Sequence, residues 1–513
     1  MTWTAGRVPA DYVLGGVRAV LPGAVVDDAR VVVRDGLIAE AGPAPAGSAA
    51  DLDGRGLLCV PGLIDVHSDA LERERAPRPG VLLPWDFAVT SLEGRLSAAG
   101  ITTAFHGAGF QEKTSAGVTR SVATATEICA ALTARSRAPD PLADHRILYR
   151  LDARSPAGAE ALARVLDGVL DGLSAAALST AGARGLPLVS HEDHTPGQGQ
   201  YADRRYLERY VAGTDGLSAS AAARRVDEVI AERDARRPAL ERSMAWLGSL
   251  ALAGRIRLVG HDLDSPAAVA ALRARGGSVA EFPTTVDAAR AARDLGMPVV
   301  MGAPNVLRGE SHSGNVPAAE LVAHGLVTAL ASDYLPSGLL AGAFTLARKG
   351  LVTLTAGIGL VTSGAAAAAG LSDRGSLTPG LRADLALVDD SAAWPVVRAT
   401  FRAACSRLAR LTLGPARQRV RVSGCPLAEP VGHVELLAHR APDHLRVLAV
   451  GQGLVDRAAS EAGEHEVFRD AFGVAVAELL AHPCPELRQP HRTRLPASRQ
   501  RVGPEKMLSI PEG

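Results

Sequence analysis

Five segments of this 513-residue sequence end a short apolar run with side chains able to ligate a metal. They are Val66-His67-Ser68-Asp69, Asp152 in YRLDA, the run His191-Glu192-Asp193-His194, His261-Asp262 in LVGHD, and Asp333 in LASDY. Alternate residues of a strand share a face, so His67 and Asp69 are predicted to point the same way, about 7 Å apart along the chain. Imidazole with carboxylate suits zinc, manganese or iron and selects none of them. A lone strand histidine is more often an ordinary core residue. Ligand types at the same end of five strands are hard to explain as core packing, which favours Val, Ile and Leu. The set predicts one or two divalent metal ions. The HEDH run is ambiguous, because His191 with Asp193 and Glu192 with His194 cannot both face inward in a regular strand.

Lysine occurs only at Lys113, Lys349 and Lys506, in a loop, a predicted helix and the tail. A lysine bridging two metals is therefore nearly excluded, and a carboxylate, Asp152 first, would take that part. Asp333 suits a second role as acceptor of a proton from metal-activated water. The segment from Gly302 to Asn315 reads as an anion cradle, with Asn305, Arg308, Ser311, His312, Ser313 and Asn315 as polar contacts. Asn315 before Val316-Pro317 predicts a helix start aimed at the same place. Arg73, Arg75 and Arg78 offer further phosphate contacts, although a solvated loop explains each equally well.

These residues need a scaffold that brings strand ends together. Apolar runs at 58–70, 101–109, 146–153, 186–194, 256–264, 278–285, 297–305 and 326–334 alternate with helical stretches such as Ala157–Leu173 and Pro266–Arg275. Eight such repeats predict an α/β fold, a (β/α)8 barrel over 61–372 with its chemistry at the C-terminal strand ends. Residues 11–60 and 373–400 read as strands and turns that build a small β-sandwich flanking the barrel, with Asp35-Gly36 turning a hairpin. The roughly 60 residues between His194 and Ile256, rich in Tyr and Arg, are too long for a bare loop and predict helices that can cover the site. From Cys405 the rhythm ends. Residues 405–513 read as a C-terminal α+β extension separable from catalysis, with strands in 418–450, helices in 453–481 and a Pro/Arg-rich tail.

Lys+Arg and Asp+Glu are both 55, so neither nucleic acid nor an anionic membrane is expected as a general partner. Five cysteines without paired spacing argue against a zinc knuckle or a disulfide framework. No apolar run suits a signal peptide or membrane span, and the expected compartment is the cytoplasm.

The runs PGLIDVHSDAL (61–71), APRPG (76–80), GITT (100–103), DHTPGQGQ (193–200), GHD (260–262), EFPTT (281–285), GAPNVLRGESHSGN (302–315), SDYLP (332–336), and DRG with RADLAL (373–387) occur in this order. Together they resemble the alpha-D-ribose 1-methylphosphonate 5-triphosphate diphosphatase family of the carbon–phosphorus lyase pathway, in the amidohydrolase superfamily. The likeness spans roughly residues 11–400. It implies a metal-dependent barrel that releases pyrophosphate from a phosphorylated ribose. It favours His67, Asp69, His194, His261 and Asp333 around the metal, with Asp193 beside His194. The chain departs from the pattern at Ala70, Asp152 and Glu310, where Asn, Glu and Gly are expected. Amide hydrolysis on the same metal residues is the rival chemistry, and a non-catalytic metal-binding barrel is the alternative of another kind. A homo-oligomer is compatible with all of these.

Overall fold

The protein is described by a computed structural model covering residues 8–78, 80–115, 118–139, 141–171, 185–311, 313–403, 435–441 and 444–450. Strands β1 (Tyr12–Leu21), β2 (Ala24–Arg34), β3 (Leu37–Pro43), β4 (Leu52–Asp53) and β5 (Leu58–Pro61) come first. The β2–β3 turn is Asp35-Gly36, with φ of 51° and 73°, as a tight hairpin requires.

Eight parallel strands follow: β6 (Leu63–Ser68), β7 (Ile101–Phe110), and, after a small hairpin of β8 (Lys113–Ser115) and β9 (Val118–Arg120), β10 (Asp144–Asp152), β11 (Leu188–Glu192), β12 (Arg257–His261), β13 (Val279–Glu281), β14 (Val299–Gly302) and β15 (Ala329–Ala331). All eight lie at the runs read from the sequence. A parallel bridge between Ser68 and Asp333 links the last strand end to the first. Buried Asp65 reinforces that seam, accepting from the Ser332 amide at 2.9 Å and from the Ser332 hydroxyl. Ile64, Val66, Phe105, Leu148, Val259 and Val300 fill the barrel interior, while a larger apolar layer packs the strands against the helices.

The small β domain continues downstream with β16 (Leu385–Asp389) and β17 (Val396–Phe401). The two flanking segments pair as one seven-stranded mixed sheet, in the order β17-β16-β5-β1-β2-β3 with β4 beside β1. Gly62 lies where the chain leaves this sheet for the barrel. A Cβ there would stand 2.3 Å from the Thr102 hydroxyl and 3.0 Å from Asp384, so only glycine fits the crossing.

The long connection between β11 and β12 carries the helices Arg204–Asp215, Ala219–Ala235 and Arg237–Leu252, as expected. The chain divides into two units, Met1–Thr412 and Leu413–Gly513. In the second, β18 (Glu435–Ala441) and β19 (His444–Val450) form an antiparallel hairpin within the expected strand region. The helices expected in 453–481 and the tail lie outside the described residues. No helix among the described residues is long and apolar enough to cross a membrane.

One polar tie fastens the segment after the barrel. Arg374, from the DRG run, is buried and donates to the Thr103 hydroxyl at 2.8 Å and to Asp144 at 2.6 Å. Burial works against the Asp144 carboxylate, but Arg146 and Arg374 outweigh it and hold its pKa well below the carboxylate range. Replacing Arg374 with Met should therefore cost about 3 kcal/mol at neutral pH, read as a lower denaturant midpoint. A group with a depressed folded pKa stabilises above its unfolded pKa, so the deficit should shrink as pH falls below about 4.

Candidate metal centre

Glu281 ends β13 with a fully enclosed carboxylate. It accepts from His67 Nδ1 at 2.8 Å on one oxygen and from His261 Nδ1 at 2.7 Å on the other, while Ser190 donates to it at 3.1 Å. Burial opposes its charge, but His67 and His261 hold its pKa well below the usual range. Each imidazole thus spends its Nδ1 proton on Glu281 and has its Nε2 left for a further partner. Burial disfavours a charged His67, yet Glu281 beside it lifts its pKa to about 10, a sign that this wall attracts positive charge.

His194 completes a second group. Its Nε2 stands 3.3 Å from Asp262 Oδ2, and His261 Nε2 stands 3.5 Å from the same oxygen. His194 Nε2 and Asp262 Oδ2 are buried with no hydrogen-bond partner. Unsatisfied buried ligand atoms are costly unless a cation or water meets them, so these residues fit a divalent ion. Among the described residues, three groups have ligand atoms within 4.8 Å of one another: His67–His261–Glu281, His194–His261–Asp262 and His67–Asp69–Asp333.

Backbone geometry at the strand ends does the aiming. Asp262 and Phe282 follow directly on β12 and β13, Asp333 stands two residues beyond β15, and the three have φ of 55°, 52° and 57°, a region that side-chain-bearing residues seldom adopt. Three such residues around one cavity mark strain held where function needs it. At β6 a register shift between Asp65 and Ser68 inserts an extra residue before the strand end that carries His67. The strand stops at Ser68, so Asp69 reaches the cavity as the residue before the helix Ala70–Arg75 and not by alternation. Burial, then the neighbouring Asp69 carboxylate, push the Asp333 pKa above the ordinary value.

The structure separates the HEDH run. Glu192 points into the barrel, where Arg150 Nε donates to it, and His194 lines the cavity. Asp193 faces away, accepting from Arg154 at 2.9 Å, from Arg233 at 3.0 Å and from the Thr195 hydroxyl. Asp152 is not brought to the cluster. Both of its oxygens accept from Arg233, at 2.9 and 3.0 Å, because this strand end meets the helix Ala219–Ala235 before it can reach the metal wall. Its expected bridging part is corrected to an anchor for the long connection.

The cavity, about 480 Å³, runs from this wall to a polar mouth holding Arg73, Asn305, Arg308, Ser311, Ser313 and Asn315. The expected cradle begins as a helix, Ala303–Arg308, ended by left-handed Gly309. Asn315 caps no helix. Its amide donates to Ser313 at 2.9 Å and to the Gln200 carbonyl at 3.4 Å, and the next helix starts at Ala318. The Tyr206 ring covers Gly314, where a Cβ would stand 2.4 Å from its hydroxyl. Tyr201, Tyr206 and Tyr210 of the connection line the cavity, in line with the covering role expected for that segment. Arg73 lies over the Tyr334 ring, 4.8 Å from its centre. Arg308 stands 3.6 Å from Glu310. Arg75 stacks on Trp85 instead, and His312 lies outside the described residues.

This barrel and its histidine–carboxylate mouth are those of a known hydrolase class. The Amidohydrolase family description matches residues 95–407, more than half of the 513-residue chain, and the chain belongs to that family. It is 34% identical over 338 residues to the alpha-D-ribose 1-methylphosphonate 5-triphosphate diphosphatase of Escherichia coli (strain K12), covering 66% of this chain and 84% of that one. Among solved structures, a triazine hydrolase variant shares the fold with a TM-score of 0.50 at 13% identity, over 75% of this chain and 88% of that one. A D-hydantoinase matches with a TM-score of 0.43 at 15% identity, over 77% and 94%.

Asp262 stands with His261 among the strand-end candidates of the sequence, but Glu281 is not among them. Both stand in the GHD and EFPTT runs, and Glu281 is the lone acid of its strand end. Its Gln variant can accept at one imidazole but presents an N–H to the other. Glu281→Gln should weaken metal affinity about 10–100-fold, measured by competition with a chromogenic chelator.

Proposed function

We propose that this chain is a metal-dependent diphosphatase of phosphonate catabolism that releases pyrophosphate from alpha-D-ribose 1-methylphosphonate 5-triphosphate. The likeness to the E. coli enzyme of that name supports the substrate. The carrying observation is the continuity of one cavity from a histidine–carboxylate wall to a mouth bearing Arg73, Arg308, Ser311, Ser313 and Asn315. A neutral amide has no use for that mouth, whereas a triphosphate has.

A divalent ion of zinc, manganese or iron, when bound, would supply Lewis acidity toward a phosphoryl oxygen and toward water. The protein's own groups do the rest. His194, His261 and Asp262 would hold the ion, with His67 beside them on the Glu281 wall. Asp333, less acidic than an ordinary carboxylate, takes the proton of the attacking water. Arg308 and the cradle hydroxyls hold the outer phosphates, so that the leaving pyrophosphate departs toward fixed donors. The tyrosines of the long connection close over the sugar side and exclude water. A multiply charged substrate does not cross membranes, which supports a cytoplasmic enzyme.

Phosphorus NMR of the purified, metal-loaded chain with the ribose triphosphate should show pyrophosphate as the first product. Asp333→Asn should lower kcat at least about a hundredfold while the metal content stays. Arg308→Ala should lower kcat/KM roughly tenfold to a hundredfold. Stepwise orthophosphate, or turnover of amides but not of triphosphates, rejects the reading.

A further inference from the structure

Two of the convergent ligand groups share no residue: His194–His261–Asp262 and His67–Asp69–Asp333. A two-ion site would use one group for each ion. The groups are not equivalent, and we infer that this chain seats a single metal ion, at His194–His261–Asp262, with the Arg150 guanidinium standing in for a second cation. The inference rests on the metal-dependent reading of the cavity and goes beyond it.

The first group has the unsatisfied atoms. His194 Nε2 and Asp262 Oδ2 are buried without a hydrogen bond, and the 3.3 and 3.5 Å separations approximate the ligand–ligand edge of a tetrahedral site. Bonds of about 2.1 Å give an edge of about 3.4 Å.

The second group is already occupied by charge. Arg150 Nη1 lies 2.6 Å from each oxygen of Asp69, and Arg120 Nη2 lies 2.8 Å from one of them. Arg150 Nε also donates to Glu192, and Arg120 pairs with Glu72 at 2.7 Å. The place is built for these guanidiniums. On neighbouring β7, a Cβ at Gly107 would stand 2.5 Å from Asp69 Oδ1 and 3.1 Å from Arg150 Cδ, so any larger residue would displace the pair. A guanidinium cannot shed its proton at working pH. A divalent ion on Asp69 would therefore meet a permanent like charge at close range, on a carboxylate whose acceptor sites are taken. Asp69, expected from the sequence to ligate metal, serves instead as the anchor of Arg150. Arg150 also lines the cavity, and its fixed charge faces the space where phosphoryl oxygens gain charge.

The test is a count. The full chain, stripped and equilibrated with manganese, should bind one ion per chain and give the resonance spectrum of an isolated ion. Arg150→Met, which unmasks Asp69 and Glu192, should raise the count to two with a spin-coupled spectrum. If that variant does not fold, the wild-type count and spectrum decide by themselves. Two coupled ions in the wild type, or a folded Arg150→Met chain still holding one, overturn the inference and leave the diphosphatase reading standing. No ion at saturation overturns both.

Discussion

Asp69, Glu192, Asp262, Glu281 and Asp333 crowd the mouth of one barrel, and a protein interior does not tolerate that many bare carboxylates. Each must be met by a proton, a guanidinium or a metal. Glu281 is met by two imidazoles, Asp69 by two arginines and Glu192 by one of the same arginines. Asp262 Oδ2 stands 3.3 and 3.5 Å from the Nε2 atoms of His194 and His261, yet neither it nor His194 Nε2 has a hydrogen bond. Those unsatisfied atoms suit a cation, and the proposed function arranges the rest of the site around one.

The scaffold meets this constraint with few devices. The seam between the first and last barrel strands brings Ser68 and Asp333 side by side, with Asp65 and Ser332 locking it from below. Left-handed residues after three strands turn side chains or backbone toward the axis. The long connection is held to the rim by Arg233, which binds Asp152 and Asp193 together, so that its tyrosines come to rest over the cradle. Carboxylates that could have been ligands are thus spent on fixing the cover.

The barrel was legible because apolar runs and helical stretches alternate with little interruption, and every strand lies where that rhythm put it. The flanking strands were legible for the same reason, down to the Asp35-Gly36 turn. Among the site residues, His67, His194, His261 and Asp333 come together as read, because strand ends in this fold share one face. Asp152, and Asp69 under the single-ion proposal, part from the sequence reading for a common reason. A carboxylate at a strand end looks the same in sequence whether its partner is a metal or an arginine, and the arginines here, Arg150, Arg120 and Arg233, are distant in the chain. Glu281 was passed over because it orients ligands, a role that leaves no local spacing to read. The cradle's helix was hidden by its glycines, of which Gly309 ends a helix and Gly314 makes room for Tyr206.

The central claim is that water, with Asp333 as its proton acceptor, attacks the phosphorus nearest the ribose. Hydrolysis of the ribose triphosphate in water enriched in heavy oxygen, followed by mass spectrometry of both products, tests this directly. The account predicts the label in the ribose 5-phosphate group and none in pyrophosphate. Label in the pyrophosphate would mean attack at the middle phosphorus, and would contradict the placement of the triphosphate between the metal wall and the cradle.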